Sequence, residues 1–316
     1  SINQNNLIMR KFRHNNFLKN AKTINEFFFV IMDKLKLDSI WNKENCLEIE
    51  IKKSFIKSLI RYDIKTNDLL KEVLSSHYKT INKNFSYTNF YPMIHLSGDI
   101  VENGGYHFDQ VDLVNLHTLW IAISEYNYPS LSIFNFNSKN TLINKILIKS
   151  KIAKIFSKDV YSKQGDLNIW DGKLIHAGNF NNSLKPAIAL QMKVMLPEDD
   201  FTFEETNDYS KKSNFDANNT DISSISDDYS IFSKIISKIL LQSQSNQKII
   251  DDFSDLVKII KKNPNIQNHK FSFGMSILSQ RIRSFKKIFL PKIKNIDKFT
   301  SSLDYISILI GSENLV

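Results

Sequence analysis

His107 and Asp109 stand two residues apart in Tyr106-His107-Phe108-Asp109, and His176 follows much later in Trp170-Asp171-Gly172-Lys173-Leu174-Ile175-His176. Side chains alternate between the faces of a β-strand with period two, so a His-x-Asp pair projects both groups to one side. A second imidazole from a distant strand then completes three ligands on one face of a metal. Two histidines and one carboxylate, with the opposite positions open, form the set that suits non-haem Fe(II) in enzymes that activate O₂. The same three ligands plus a water would also serve a zinc hydrolase, although the pattern places no separate general base. In isolation, His107 and Asp109 read more readily as a hydrogen-bonded surface pair.

The neighbouring residues favour the metal reading. Gly104-Gly105 supplies a permissive turn immediately before Tyr106. Residues 164–172 read as a turn, a short alternating strand and another turn, with His176 directly after them and a long strand over 186–195. A His-x-Asp after a glycine turn, followed by a distal histidine between two strands, is an arrangement that a jelly-roll barrel supplies.

On the residues Gly105-Tyr106-His107-Phe108-Asp109, Leu116-His117-Thr118-Leu119-Trp120-Ile121-Ala122, Gly165-Asp166-Leu167-Asn168-Ile169-Trp170-Asp171 and His176-Ala177-Gly178, the chain resembles the phytanoyl-CoA-dioxygenase-like branch of the Fe(II)/2-oxoglutarate oxygenases. The resemblance spans roughly residues 90–197, about a third of the chain. It implies a double-stranded β-helix (a jelly-roll or cupin-like barrel), with Fe(II), 2-oxoglutarate as co-substrate and O₂. It further implies that His107, Asp109 and His176 are the catalytic metal ligands. Related halogenases leave the carboxylate position empty, so Asp109 favours hydroxylation, desaturation or a related oxidation. The alternatives are a non-catalytic barrel serving as a binding or scaffold module, and an iron oxygenase that does not use 2-oxoglutarate.

One departure bears on the co-substrate. The resembled branch holds the far carboxylate of 2-oxoglutarate with an arginine about eleven residues beyond the distal histidine, and Ala187 stands there. The five arginines are Arg10, Arg13, Arg61, Arg281 and Arg283, all outside the expected barrel. Lys185, Ala187, Ala189, Gln191 and Lys193 share one strand face, and Ile188, Leu190, Met192 and Val194 the other. Lys185 is therefore the first candidate for the anchor and Lys193 the second. A lysine presents a point charge where arginine presents a planar two-bond clamp. Trp120 matches an aromatic near the co-substrate in the resembled family, and an ordinary core tryptophan explains it equally well. His95, in the expected strand 90–97, is either a co-substrate or substrate contact or a hydrogen-bonded core histidine. His117 is assigned to structure, and Asn179 and Asn181 read either as partners that orient His176 or as turn residues.

These groups need elements to position them. Residues 1–85 read as mostly helical, with apolar spacing over 24–37 and 67–78, and such helices would buttress one sheet of the barrel, 86–197. A helical insertion is expected over 141–156, where a substrate lid is commonly built in the resembled fold. Residues 198–230 turn polar and aperiodic, as a flexible loop or linker does. A helical C-terminal extension, 231–316, follows, with helices at 231–241, 247–262 and 271–289, the last stopped by Pro291. Its apolar stripes fit core packing or contact between copies of the chain. The fold class expected is thus α+β, an oxygenase domain over 1–197 followed by the linker and the extension.

At 316 residues and 42% apolar, the chain can bury a full core. No apolar run approaches the roughly 18 residues that cross a bilayer, and no signal-peptide pattern opens the sequence. The lone cysteine, Cys46, excludes an internal disulfide and fits the cytoplasm, the expected compartment. The net charge of +9 comes almost wholly from lysine. Codon bias toward Asn, Ile and Lys would produce it, as would selection for an anionic or carrier-linked small-molecule substrate. The basic residues are scattered and carry no recognised nucleic-acid motif.

Overall fold

The structure is a computed structural model. It describes residues 9–13, 15–59, 86–87, 91–102, 105–109, 115–134, 141–196, 222–245 and 268–311. The helices expected over 67–78 and 247–262, Gly104, and the linker as far as residue 221 lie outside the described residues.

In chain order the described elements are β1 (Arg10–Arg13), α1 (Asn15–Lys34), α2 (Cys46–Leu59), β2 (Ser86–Tyr87), β3 (Tyr91–His95), β4 (Asn115–Ala122), β5 (Leu131–Phe134), α3 (Thr141–Lys149), α4 (Ile152–Ile155), β6 (Lys158–Val160), β7 (Asp166–Asp171), β8 (Ile175–Gly178), β9 (Ala187–Leu196), α5 (Ile225–Gln244), α6 (Asn268–Ser284), α7 (Lys286–Phe289) and α8 (Ile296–Gly311). By contacts the chain divides into two units, one of residues 1–28 and 61–219, the other of residues 29–60 and 220–316.

All described strands belong to the first unit and pair antiparallel. A six-stranded sheet runs β1-β7-β4-β9-β2, with β3 also on β9, and a three-stranded sheet runs β6-β5-β8. β4 and β9 pair over eight residues, from Asn115 opposite Leu196 to Ala122 opposite Ala189. Opposed residues share a face, so Thr118, Trp120 and Ala122 lie on the side that carries Lys193, Gln191 and Ala189. Trp120, Ala122, Ala187 and Ala189 join Tyr126, Tyr128, Leu131, Ile133, Trp170 and Leu174 in one buried cluster. The opposite face of the sheet is closed as well, with Leu119, Ile121, Leu167, Ile169, Ile188, Leu190 and Met192 all buried. The parity expected for 185–194 holds at these positions, and burial on both faces explains the nearly continuous apolar runs.

Gly165 shows why one turn needs glycine. Its φ is +83°, and a Cβ there would lie 2.8 Å from Leu18 Cα on α1. The bare backbone allows the first turns of α1 to approach the turn before β7.

Several elements differ from expectation. β1 pairs with β7 although 1–85 reads as helical; its Arg-Lys-Phe-Arg sequence suits an exposed edge and carries no apolar alternation. The insertion over 141–156 is helical but broken, because Lys151 takes a left-handed conformation with φ 61° between α3 and α4. α5 begins six residues ahead of the expected 231, so the last stretch of the polar segment is helix. α8 was not expected beyond Pro291, yet Ile296, Phe299, Leu303, Ile306 and Ile310 repeat at helical spacing and are all buried.

In the second unit α6 packs on α8 and α2, around Phe55, Phe232 and Phe271. The apolar stripes on these helices supply this core. Among the described residues no helix is long and apolar enough to cross a membrane.

Candidate metal centre

Backbone pairing brings the two histidines together before any side chain is considered. His107 and His176 form an isolated antiparallel bridge, each N–H donating to the other's carbonyl at 2.9 Å. The Asp109 N–H donates to the Gly172 carbonyl at 2.7 Å, which fixes the carboxylate on the same loop that leads into β8. The imidazole centroids lie 4.4 Å apart. The ligand atoms of His107, Asp109 and His176 all lie within 4.8 Å of one another. The three residues proposed from the sequence are therefore neighbours in space.

Both rings are oriented in the same way. His107 Nδ1 lies 2.8 Å from the Gly105 carbonyl, and His176 Nδ1 lies 2.9 Å from the Leu174 carbonyl. A carbonyl only accepts, so each Nδ1 carries a hydrogen, and Nε2 is the nitrogen left to face a ligand. Both Nε2 atoms face the carboxylate: His107 Nε2 is 3.7 Å from Asp109 Oδ1, and His176 Nε2 is 3.7 Å from Asp109 Oδ2. Gly105, at φ +72° with open space where a Cβ would stand, makes the turn that carries the first of these carbonyls.

Asp109 is held from its other side. Thr118 Oγ1 donates to Asp109 Oδ2 at 2.6 Å, and Lys193 Nζ pairs with the same oxygen at 2.6 Å. Lys193 also donates to Thr118 Oγ1 at 2.9 Å, as follows from Thr118 and Lys193 being register partners on β4 and β9. Oδ2 is thereby capped, and Oδ1 remains on the side of His107. Trp170, the partner of Thr118 on β7, packs its ring 5.0 Å from that of His176.

Exposure is graded across the triad: 47% for the His107 side chain, 10% for Asp109 and 5% for His176. Solvent and any ligand approach from the His107 side. Burial pushes His176 down to about 4, with Asp109 pulling the other way, so the ring is neutral near pH 7. For Asp109, burial works to raise the carboxyl. The facing His176, the Lys193 ammonium and His107 outweigh it and hold the group well below the usual carboxylate range. Burial lowers Lys193, while its pairing with Asp109 opposes that shift.

The two imidazoles and the carboxylate converge, with Thr118 and Lys193 donating to Oδ2. Lys193 already balances the Asp109 charge from the side of Oδ2. Ligands about 2.1 Å from one ion stand about 3.0–3.4 Å apart at right or tetrahedral angles, and the three ligand atoms, all within 4.8 Å of one another, would draw together around it. The residues fit a divalent transition metal.

The other sequence candidates lie as follows. Trp120 is buried in the apolar cluster, its ring 5.2 Å from Tyr126. His95 is buried on β3 opposite Ala187, 6.0 Å from Tyr126. Lys185 is exposed in the loop before β9, where its carbonyl accepts from Asn181 and Ser183. Asn181 bridges the His95 and Lys185 carbonyls, and Asn179 accepts from Ser132, so both take turn and loop roles while Leu174 orients His176. Burial lowers His117 to about 4, and its register partner is Asp171. Sequence reasoning missed Thr118 and Trp170. Thr118 shares strand parity with Trp120, which was a usable signal, but only the register with β9 and β7 brings both to the triad.

No protein-family model matches the chain, and no curated protein matches it. Solved structures similar to part of it include EvdMO1 (16% identity, TM-score 0.35, 45% of this chain and 35% of that one). Also similar is SnoN, a non-haem alpha-ketoglutarate-dependent epimerase from nogalamycin biosynthesis (10% identity, TM-score 0.32, 41% of this chain and 53% of that one). A third is EvdO2 from Micromonospora carbonacea, complexed with 2-oxoglutarate (11% identity, TM-score 0.34, 49% of this chain and 69% of that one). The chain spans about a third of EvdMO1 and about half of SnoN.

Proposed function

We propose that this chain is a non-haem Fe(II)- and 2-oxoglutarate-dependent dioxygenase that hydroxylates an unactivated C–H of a small molecule or carrier-linked metabolite. The observation that carries the reading is the grouping of the His107, Asp109 and His176 ligand atoms within 4.8 Å of one another, open on the His107 side. In this reading the two sheets are the faces of a double-stranded β-helix, with the triad at one end. With iron, 2-oxoglutarate and O₂ in place, the chemistry supplied is decarboxylation of 2-oxoglutarate to succinate and CO₂, coupled to conversion of C–H to C–OH.

The chain's own residues prepare that chemistry. The Gly105 and Leu174 carbonyls accept from Nδ1 of each ring, so Nε2 is the nitrogen turned to the metal. Thr118 and Lys193 hold Oδ2, leaving Oδ1 to bind. Trp170 excludes water from the His176 side. On the open side, the Tyr106 hydroxyl lies 2.6 Å from Ser157 Oγ, which ties the helical insertion of α3 and α4 to the ligand loop. That insertion exposes Leu142, Ile146, Ile155 and Phe156, and it is the proposed substrate-side wall.

A second reading, an iron oxygenase or binding module without 2-oxoglutarate, is favoured by one observation: Ala187 faces the apolar cluster, so no cation stands where the resembled family holds arginine. Succinate formation separates the two. The protein with Fe(II), O₂ and 2-oxoglutarate should release succinate, and His107→Ala should not. Wild-type succinate release by His107→Ala would overturn the assignment. Metal binding without succinate from the unaltered protein would favour the second reading.

A further inference from the structure

Lys193 stands in a position that a co-substrate anchor alone does not explain. Its ammonium is spent on a metal ligand, 2.6 Å from Asp109 Oδ2 and 2.9 Å from Thr118 Oγ1, with side-chain exposures of 19% for Lys193 and 10% for Asp109. We infer that Lys193 neutralises the metal-binding carboxylate, so that the centre takes a divalent cation and an anionic chelating co-substrate as a coupled pair in preference to the cation alone. The inference rests on the function proposed above.

Counting charges gives the argument. With both histidines as neutral ligands, the triad carries the single negative charge of Asp109, and Lys193 cancels it. A divalent cation entering alone leaves the partly buried site at +2, with an ammonium on the far oxygen of one of its ligands. A dicarboxylate arriving with the cation returns the site to zero. Without Lys193 the cation alone would leave +1 and the ternary complex would end at −1. The ammonium therefore weakens binding of the bare metal and strengthens binding of the anion, within a Debye length and with little solvent to screen either effect. Because the coupling is a property of the thermodynamic cycle, each ligand changes the affinity of the other by the same factor. Thr118 plays a separable part: it fixes the geometry of Oδ2 and brings no charge.

The test uses the whole chain and two probes, Mn(II) and 2-oxoglutarate, in anaerobic equilibrium titrations. Mn(II) affinity is measured alone and at saturating 2-oxoglutarate, for the unaltered protein, Lys193→Met, Lys193→Arg and Thr118→Val. Lys193→Met should bind Mn(II) alone on the order of tenfold more tightly, and its coupling factor should fall on the order of tenfold. Lys193→Arg should keep the coupling within about threefold, since it keeps the charge. Thr118→Val should weaken Mn(II) binding and leave the coupling within about threefold. Equal affinity and coupling in Lys193→Met and the unaltered protein would overturn the inference while leaving the metal site standing. So would a Lys193→Met variant that loses both affinities together, the mark of a purely structural role. Failure of the unaltered protein to bind Mn(II) at all would instead sink the metal site itself, and the inference with it.

Discussion

Acidifying the metal-free protein from pH 7 to pH 5 should remove a calculable share of its stability through two buried histidines. His117 and His176 are each about 5% exposed or less, and burial lowers both to about 4 from an ordinary value of 6.5. A base with a lowered folded-state pKa binds fewer protons folded than unfolded, so stability is intact above the unfolded value. It is lost as the pH falls through 6.5 toward 4. At pH 5 the unfolded histidine is almost fully protonated and the folded one barely so, which corresponds to about 2 kcal/mol for each residue, about 4 kcal/mol in total. Asp109 adds nothing in this window, because its carboxyl, lowered from 3.8, remains charged throughout. The assay is urea unfolding with a chelator present, at pH 7 and pH 5, for the unaltered protein and His117→Gln. The substitution should remove about 2 kcal/mol of the pH-dependent loss, since burial lowers His117 to about 4. A His117→Gln protein that loses as much stability on acidification as the parent would refute the reasoning.

Other perturbations have expected outcomes. Asp109→Asn leaves the Lys193 ammonium without its 2.6 Å counterion. It should cost about 2–4 kcal/mol in the metal-free protein, read by urea unfolding, and abolish metal binding. Gly165→Ala should cost about 2–4 kcal/mol by the same assay, because the new Cβ meets Leu18 backbone at 2.8 Å and φ is +83°. Gly105→Ala, at φ +72° but with open space around its Cβ, should cost only about 1–2 kcal/mol. It should nonetheless weaken metal binding measurably in a titration, since the Gly105 carbonyl orients His107.

The parts of the site legible in the sequence are those that follow from short-range periodicity. The His-x-Asp, the glycine before it and the strand before His176 picked out three residues that lie together, although His107 pairs only through an isolated bridge and Asp109 lies in no strand. The face shared by Ala187, Ala189 and Lys193 was equally readable. What was not legible depends on register. Lys193 meets Thr118 because β4 and β9 pair with those two residues opposite each other, and Asp109 reaches Thr118 through its bond to Gly172 at the end of β7, the other partner of β4. Parity says which face a residue takes, and a shift of two residues along the partner would preserve it while separating the groups. The carbonyls of Gly105 and Leu174 carry no side-chain signal at all. Among the elements, β1 is a basic edge strand with a single apolar residue, and its pairing partner on β7 lies more than 150 positions away. α8, by contrast, carried a readable apolar repeat beyond Pro291 that was passed over.

The central claim is that His107, Asp109 and His176 hold one divalent transition metal. Anaerobic Fe(II) titration of the metal-free protein, set beside His176→Ala and Asp109→Ala, tests it most directly. One equivalent should bind to the unaltered protein, and neither variant should bind at comparable concentrations. Stoichiometric binding that survives both substitutions would contradict the account, because the ion would then have to sit elsewhere.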